Sequence, residues 1–511
     1  MSTVEQNTVQ PLREYRDVNA GSRTRPYLQD VSEEHSIIPL WPNRPLVVDL
    51  DGTLVRSDLL IETAFSELGR RPQAIFEIFA SLRQGKVALK HRLSEPQDFD
   101  PATLPYDEAV LQCVREARAA GRPVYLASAS HERLVGPIAE HLGLFDGWFA
   151  TDEVTNCAGR VKAQILVDAF GDKNFDYIGN DKADLDVWPH AAKALAIRTS
   201  GRVGRTLASR CEDVEHLQHE PATWKDWARL ARVHQYAKNG LVFVPLLIGE
   251  MFEWSAFLTV LGAAIAFSLC ASSVYILNDL VDLKDDRGHR SKRFRPLASG
   301  TIPLSEAVLA VPILFGISLA IASAISLPFL GVLLGYYALT TAYSFFLKRQ
   351  LFADVLALAG LYTARVVGGA VALGVGISPW LLAFCVAWFL SLALIKRYVE
   401  LQARRQANLP DSGSRDYRNE DITMVGAMAA GVGFQAITLF LLYSTDTERL
   451  AGFARPDLMW FVAPVLAFWL GRALVLAWRG EMHDDPVVFA LKDRISIVTL
   501  AAAGALVIGA M

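Results

Sequence analysis

Asn278, Asp279, Asp282 and Asp286 stand at the end of a long apolar run, and Arg287, Arg290, Lys292, Arg293 and Arg295 follow at once. Residues 278, 282 and 286 recur every four positions, so on a helix they stack on one face. Carboxylate and carboxamide oxygens in that array, at the mouth of a membrane helix, suit Mg²⁺ bridging to phosphate oxygens. The cations beyond them suit further phosphate charge. Charge this dense beside a bilayer is costly and usually functional. Further groups with chemical potential lie on both sides of this stretch. Upstream, the apolar segment 45–48 runs into Asp49, Asp51 and Gly52. Downstream come Tyr343, Lys348, Arg349 and Asp354, then Arg365 inside an apolar span, then Lys396 and Arg397. An intramembrane arginine needs a partner, and an anionic substrate or Asp354 would serve Arg365.

The elements that must position these residues fall into two halves. The chain has 511 residues, enough for two or more domains, and 52% are hydrophobic, too many for an ordinary soluble enzyme. Nearly all the long apolar runs lie beyond residue 235. Nine spans are expected there, near 238–252, 255–277, 306–325, 328–346, 351–373, 379–399, 422–443, 458–478 and 495–510. Basic residues crowd the loops at 284–295, 348–349, 396–418 and 472–494, while the alternate loops are short or poor in bases. The positive-inside rule then puts the basic loops and the N-terminal half in the cytoplasm of an inner-membrane, multi-pass protein, with the C-terminus outside. Residues 1–34 are polar and without the apolar core of a signal peptide, and residues 1–43 read as a flexible lead-in. The five cysteines show no metal spacing and imply no disulfide framework. A net charge of −4 gives no argument for nucleic acid.

The string NDxxDxxxD with its basic tail resembles the first signature of the UbiA superfamily of intramembrane prenyltransferases. The longer string NDxxDxxxDRxHxxKRFRPxAxG resembles the decaprenyl-phosphate phosphoribosyltransferase branch, which uses phosphoribosyl diphosphate as donor. The resemblance covers the chain from about Trp224 onward. It implies a metal role for Asn278, Asp279, Asp282 and Asp286, with donor contacts from Arg287, Lys292, Arg293 and Arg295. Lys238 and Asn239 resemble the superfamily's first helix and could bind phosphate. Lys396 and Arg397 resemble a KRxxEL string of the phosphoribosyltransferase branch. Where most UbiA-type enzymes carry a second aspartate-rich motif, this chain has Tyr343, Lys348 and Arg349 with Asp354 alone. One carboxylate cluster with extra cations suits a donor bearing a Mg-bound diphosphate and one further phosphate.

In the N-terminal half, DLDGT at 49–53 resembles motif I of the haloacid dehalogenase (HAD)-like phosphatases. That layout lets Asp49 attack phosphorus and form an aspartyl phosphate. Asp51 can protonate the leaving alkoxide and then activate water. The Asp49 carboxylate and the Asp51 carbonyl can ligate Mg²⁺. Strand 123–127 ends in Ser128, where the family binds the phosphoryl group through a hydroxyl. Lys162 falls where the family places its phosphate-neutralising lysine. Strand 175–178 leads into Asn180, Asp181 and Asp184, similar to motif IV with Asn180 at its first acidic position.

The expected architecture is multidomain, a doubly wound α/β HAD-like domain followed by an all-α polytopic membrane bundle. The expected limits are 44–201 for the α/β domain with a small helical cap at 58–105, 202–225 for a linker, and 226–511 for the bundle. The expected activity is transfer of 5-phosphoribosyl from phosphoribosyl diphosphate to polyprenyl phosphate, with one Mg²⁺ in each domain. The HAD-like half is then expected to remove the 5-phosphate. Two alternatives stand beside this: a prenyltransferase with an aromatic acceptor, and a HAD-like half that serves only as an interaction or regulatory module. Homo-oligomerisation is left open.

Overall fold

The computed structural model describes residues 44–94, 99–249, 251–411, 415–445, 453–482 and 485–511. The expected tail at 1–43 lies outside them. Two compact units emerge, one of residues up to 55 with 75–219, the other of residues 56–74 with 220–511.

In the first unit six parallel strands form one sheet: β1 (Leu46–Val48), β2 (Val124–His131), β3 (Gly147–Thr151), β4 (Asp176–Gly179), β5 (Lys193–Ala196) and β6 (Val214–His216). Their order is β3-β2-β1-β4-β5-β6. Leu46, Val47 and Val48 pair with β2 on one side and β4 on the other, and all three are buried. A strand covered on both faces needs such an unbroken apolar run. The chain winds outward from β1 through β2 to β3, then returns to β4 on β1's other flank. That reversal opens a crevice at the strand C-termini, where Asp49, Ser128 and Asn180 stand.

Helices α1 (Leu59–Arg70), α2 (Ala74–Gln84) and α3 (Lys86–Leu93) separate β1 from β2. Helices α4 (Glu108–Ala119), α5 (Glu132–Leu142), α6 (Arg160–Phe170) and α7 (Gly201–Arg210) complete the crossovers. Two expected boundaries need correction. Residues 202–216 are no linker: α7 buries Val203 and Leu207, and β6 adds a sixth strand by pairing with β5. The first cap helix, α1, packs with the second unit rather than the first.

The second unit is helical: α8 (Trp224–Leu230), α9 (Val244–Ile248), α10 (Trp254–Val281), α11 (Leu283–Gly288), α12 (Leu304–Ile325), α13 (Leu327–Phe345), α14 (Ala353–Leu373), α15 (Pro379–Gln406), α16 (Ile422–Tyr443), α17 (Val462–Arg479), α18 (Pro486–Lys492) and α19 (Arg494–Ala510). Among the described residues six helices are long and apolar enough to cross a membrane, or seven if the α18–α19 pair, bent by 87°, is one span. The expected span at 238–252 is instead a 3₁₀ stretch leading into the short α9. α13 is not among the six. Its 19 residues carry Tyr336, Tyr337, Thr340, Thr341 and Tyr343, which lower its apolar character. α10 and α14 are the most enclosed spans, and α12 is almost wholly on the outside. Leu309, Ile313 and Ile317 of α12 recur at helical spacing and are exposed, as a lipid-facing stripe requires.

Candidate functional sites

The α/β unit gathers its acidic and basic groups at the mouth of β1, β2 and β4. Asp49 is buried and accepts from Lys162 Nζ at 2.7 Å through one oxygen and from Thr53 Oγ1 at 2.9 Å through the other. Burial pushes its carboxyl up to about 7, against the pull of Lys162. Burial alone would depress Lys162, but Asp49 and Asp184, at 2.7 and 3.6 Å, hold it above the ordinary lysine value. A cation is therefore fixed against the Asp49 carboxylate. Asp51 accepts from Ser130 Oγ at 2.6 Å and Ser128 Oγ at 3.2 Å, which fixes its carboxyl beside the end of β2. Gly52 has φ +74°, and a Cβ there would lie 2.2 Å from the Asn180 side-chain nitrogen. Glycine thus meets two demands at once, a left-handed turn and the close seat of Asn180.

Asp184 has a supporting job. Its Oδ2 accepts the backbone N–H groups of Asn180 and Asp181 at 2.9 and 3.0 Å, and Tyr177 donates to its Oδ1 at 2.6 Å. It holds the 180–184 turn and Lys162 in place, while Asp181 is exposed. Asp49, Asp51 and Asn180 bring oxygen donors to the C-terminal ends of β1 and β4, hard ligands of the type Mg²⁺ takes, so the residues present fit that ion. Three contributors escaped the sequence reading: Ser130, Tyr177, which also accepts from Lys162 at 3.0 Å, and Lys90, which bonds Ala129 O and Asn156 Oδ1 at 2.6 and 2.7 Å. For Ser130 the signal was present, a second hydroxyl two residues beyond Ser128.

In the helical unit residues 278, 282 and 286 stay linked at four-residue spacing across a kink: the Asp282 N–H donates to Asn278 O and the Asp286 N–H to Asp282 O, both at 2.8 Å. α10 ends at Val281, and Asp282, with ψ 10°, links it to α11. The residues brought together are Asp279 and Asp286, both buried and both bonded to Arg295, at 3.0 and 2.6 Å. Arg232 adds a second cation to Asp279 at 2.5 Å. Asp286 Oδ1 is buried without a hydrogen-bond partner, with Lys292 3.7 Å away. An orphaned buried carboxylate oxygen beside a second carboxylate fits a hard cation. No three His, Cys, Asp or Glu side chains among the described residues already converge as a cation cage. Asp282 faces Lys348 at 3.5 Å, and Asn278 is half-buried. Arg293, Lys292 and Arg349 are exposed, and Tyr343 is half-buried. Arg287 was expected to contact donor phosphate, but it is buried and committed elsewhere, to Glu62 at 2.6 Å and Ala298 O at 3.2 Å.

A second polar network runs through the helices. Arg365 was expected to pair with Asp354 or an anion. Instead it donates to Asn239 Oδ1 at 2.7 Å, Tyr336 OH at 2.8 Å and Leu361 O at 2.6 Å. Asp354 belongs to Arg397, 2.7 Å away, and to Tyr417 OH at 2.7 Å. Lys238 and Lys396 meet on one carboxylate, that of Asp485, at 2.9 and 3.0 Å. Tyr362 donates to Asp485 at 3.3 Å, and its ring faces both Lys238 and Arg365. Asp485 had gone unnoticed because an aspartate before a proline reads as a helix cap, which it also is, accepting from Val487 N. The network sets two lysines on one half-buried carboxylate with Arg365 over the Tyr362 ring, a net-positive and anion-receptive arrangement among apolar helices.

Residues 241–498 match the UbiA prenyltransferase family, and residues 46–187 match the haloacid dehalogenase-like hydrolases. The chain is 37% identical over 456 residues to the uncharacterized protein y4nM of Sinorhizobium fredii, an alignment spanning 88% of each. It is 32% identical over 292 residues to Nodulation protein NoeC of Azorhizobium caulinodans, spanning 54% of this chain and 93% of that one. It is 29% identical over 277 residues to the decaprenyl-phosphate phosphoribosyltransferase of Mycolicibacterium smegmatis, spanning 52% of this chain and 86% of that one.

Proposed function

The chain belongs to the UbiA prenyltransferase family and carries a HAD-like domain at its N-terminal end, and from that premise we propose that it is a two-step phosphoribosyl transferase and phosphatase. The observation that carries this reading is the pairing of Asp279 and Asp286 among Arg232, Arg295 and Lys292, in a chain similar to a decaprenyl-phosphate phosphoribosyltransferase.

In the helical unit, a phosphate oxygen of polyprenyl phosphate attacks the anomeric carbon of phosphoribosyl diphosphate. The carbon–oxygen bond to the diphosphate breaks, and diphosphate departs with the bonding electrons. Asp279, Asp286 and Asp282 would hold Mg²⁺, which when bound supplies charge neutralisation of the diphosphate. Arg295, Lys292 and Lys348 present cations where negative charge grows, so stabilisation is mainly electrostatic. Lys238, Lys396 and Arg365 supply a second anion-receptive region for a phosphate of the donor or of the lipid.

In the α/β unit, Asp49 attacks the phosphorus of the ribose 5-phosphate while Asp51 gives a proton to the departing ribose oxygen. Asp51 then takes a proton from water, which hydrolyses the aspartyl phosphate and frees inorganic phosphate. Lys162 neutralises the phosphoryl group and Ser128 bonds it. Asp49, Asp51 and Asn180 would hold the second Mg²⁺, which supplies positive charge to the phosphoryl oxygens. The product is polyprenyl-phosphoryl ribose, released into the membrane that houses the helical unit. The basic loops and the α/β domain face the cytoplasm of the inner membrane, as the positive-inside rule directs.

The direct test is release of diphosphate from phosphoribosyl diphosphate by the purified full chain. Release that requires polyprenyl phosphate supports the reading. Turnover of an isoprenyl diphosphate with an aromatic acceptor, and none with phosphoribosyl diphosphate, overturns it. Within this scheme Lys348→Ala is expected to raise the KM for phosphoribosyl diphosphate and leave the KM for the lipid unchanged. A lost charge-assisted contact costs about 1.5–3 kcal/mol, which is roughly a 10- to 150-fold loss of donor affinity. Equal donor KM in mutant and wild type would remove Lys348 from the donor site.

A further inference from the structure

The segment 56–70 lies in sequence between the first and second phosphatase-type motifs, yet its contacts are with the helical unit. Glu62 of α1 accepts from Arg287 at 2.6 Å, and Ser57 Oγ bridges the pair, donating to Glu62 at 2.7 Å and lying 3.2 Å from the second Arg287 nitrogen. Both side chains of the ion pair are shielded, Arg287 at 3% exposure and Glu62 at 13%. The backbones are in equally close contact. Gly300, at φ +69°, has Arg56 Cβ and O both 2.4 Å from where a Cβ would sit. Gly69 has Val281 Cγ1 2.7 Å from its own would-be Cβ. Ile61 and Phe65 pack on the cluster formed by Ile276, Leu280, Leu283 and Leu297.

These contacts bracket the carboxylate motif along the chain. Val281 precedes Asp282, Arg287 follows Asp286, and Gly300 ends the basic tail. Arg287 is the residue next to the carboxylate with the orphaned oxygen, and its guanidinium is fixed by Glu62, Ser57 and Ala298. We infer that the 56–70 segment is a working part of the transferase site, with Glu62 a positioning residue that holds Asp286 in its ligating orientation through Arg287. The hydrolase-type sequence thus contributes a structural piece to the other enzyme. This inference rests on the transferase reading for the site it names, while its exchange readout does not.

The test uses the full chain carrying Glu62→Gln, measured by hydrogen–deuterium exchange over 276–288 with and without Mg²⁺, and by the Mg²⁺ dependence of transfer. The expected result is faster exchange over 276–288, with peptides of the α/β sheet unchanged. The Mg²⁺ concentration for half-maximal transfer should rise about 10- to 100-fold, the range for partners that orient metal ligands, while kcat at saturating Mg²⁺ is largely kept. The double charge swap, Glu62→Arg with Arg287→Glu, should restore protection and part of the Mg²⁺ affinity. Exchange and Mg²⁺ dependence both unchanged in Glu62→Gln would overturn the inference. If Glu62→Gln loses protection throughout the chain, Ser57→Ala decides in its place: a local rise over 276–288 supports the role, and none refutes it. If wild type transfers no phosphoribosyl group, the functional reading fails, and the exchange comparison still judges the role of Glu62.

Discussion

Asp286→Ala is expected to abolish phosphoribosyl transfer while leaving the helical unit folded. The wild-type carboxylate has one oxygen on Arg295 and the other buried without a hydrogen-bond partner. Removing it deletes a hard oxygen donor and leaves Arg295 with Asp279 as its remaining carboxylate. Loss of such electrostatic stabilisation costs on the order of 10²–10³ in rate, and more if the ion is lost as well. Asp282→Ala should act in the same direction, since its carboxylate lies at the α10–α11 junction opposite Lys348. Steady-state transfer assays paired with circular dichroism separate lost chemistry from lost fold. Wild-type turnover in both variants would remove the carboxylate motif from the reaction.

Asp49→Asn should divide the two steps. The variant keeps side-chain volume and the Thr53 contact but has no nucleophile. Phosphate release should fall by roughly 10⁴-fold or more, as for removal of other covalent nucleophiles, while transfer continues. The lipid should then accumulate in its 5-phosphorylated form. Mass spectrometry of lipid from wild type and variant reads this directly. The same phosphorylated lipid from both would make the α/β unit silent toward this product, the outcome that Asn180 at the first acidic position of its motif would then explain. Loss of transfer as well would mean that motif I supports the helical unit by more than the 56–70 segment.

The α/β domain was legible because its signals are local. An apolar run of three buried residues ending in Asp49, with Gly52 behind it, can be read as a central strand and its turn. What could not be read depended on partners distant in sequence. Residues 201–216 pass for a linker because α7 is polar on most of its surface and β6 is only a three-residue edge strand. Leu59, Ile61 and Phe65 give α1 a burying face, but nothing in that pattern says which unit it will bury against. The kink at Asp282, where ψ is 10°, is invisible in LVDLKDD, whose spacing continues a helix without a breaker. Arg365 announced its need for a partner, yet Asn239, Tyr336 and Leu361 met it with neutral oxygens rather than charge. Asp485 shows the converse: an unremarkable cap in sequence that in the fold ties together Lys238, Lys396 and Tyr362.

The central claim is that one chain builds a phosphoribosyl lipid and then strips its 5-phosphate. The most direct measurement is the identity of the lipid formed when the purified wild-type chain receives polyprenyl phosphate, phosphoribosyl diphosphate and Mg²⁺. The account predicts polyprenyl-phosphoryl ribose without the 5-phosphate, together with one diphosphate and one inorganic phosphate per lipid. A lipid unaltered after prolonged incubation, or one that retains its 5-phosphate with no inorganic phosphate released, would contradict it.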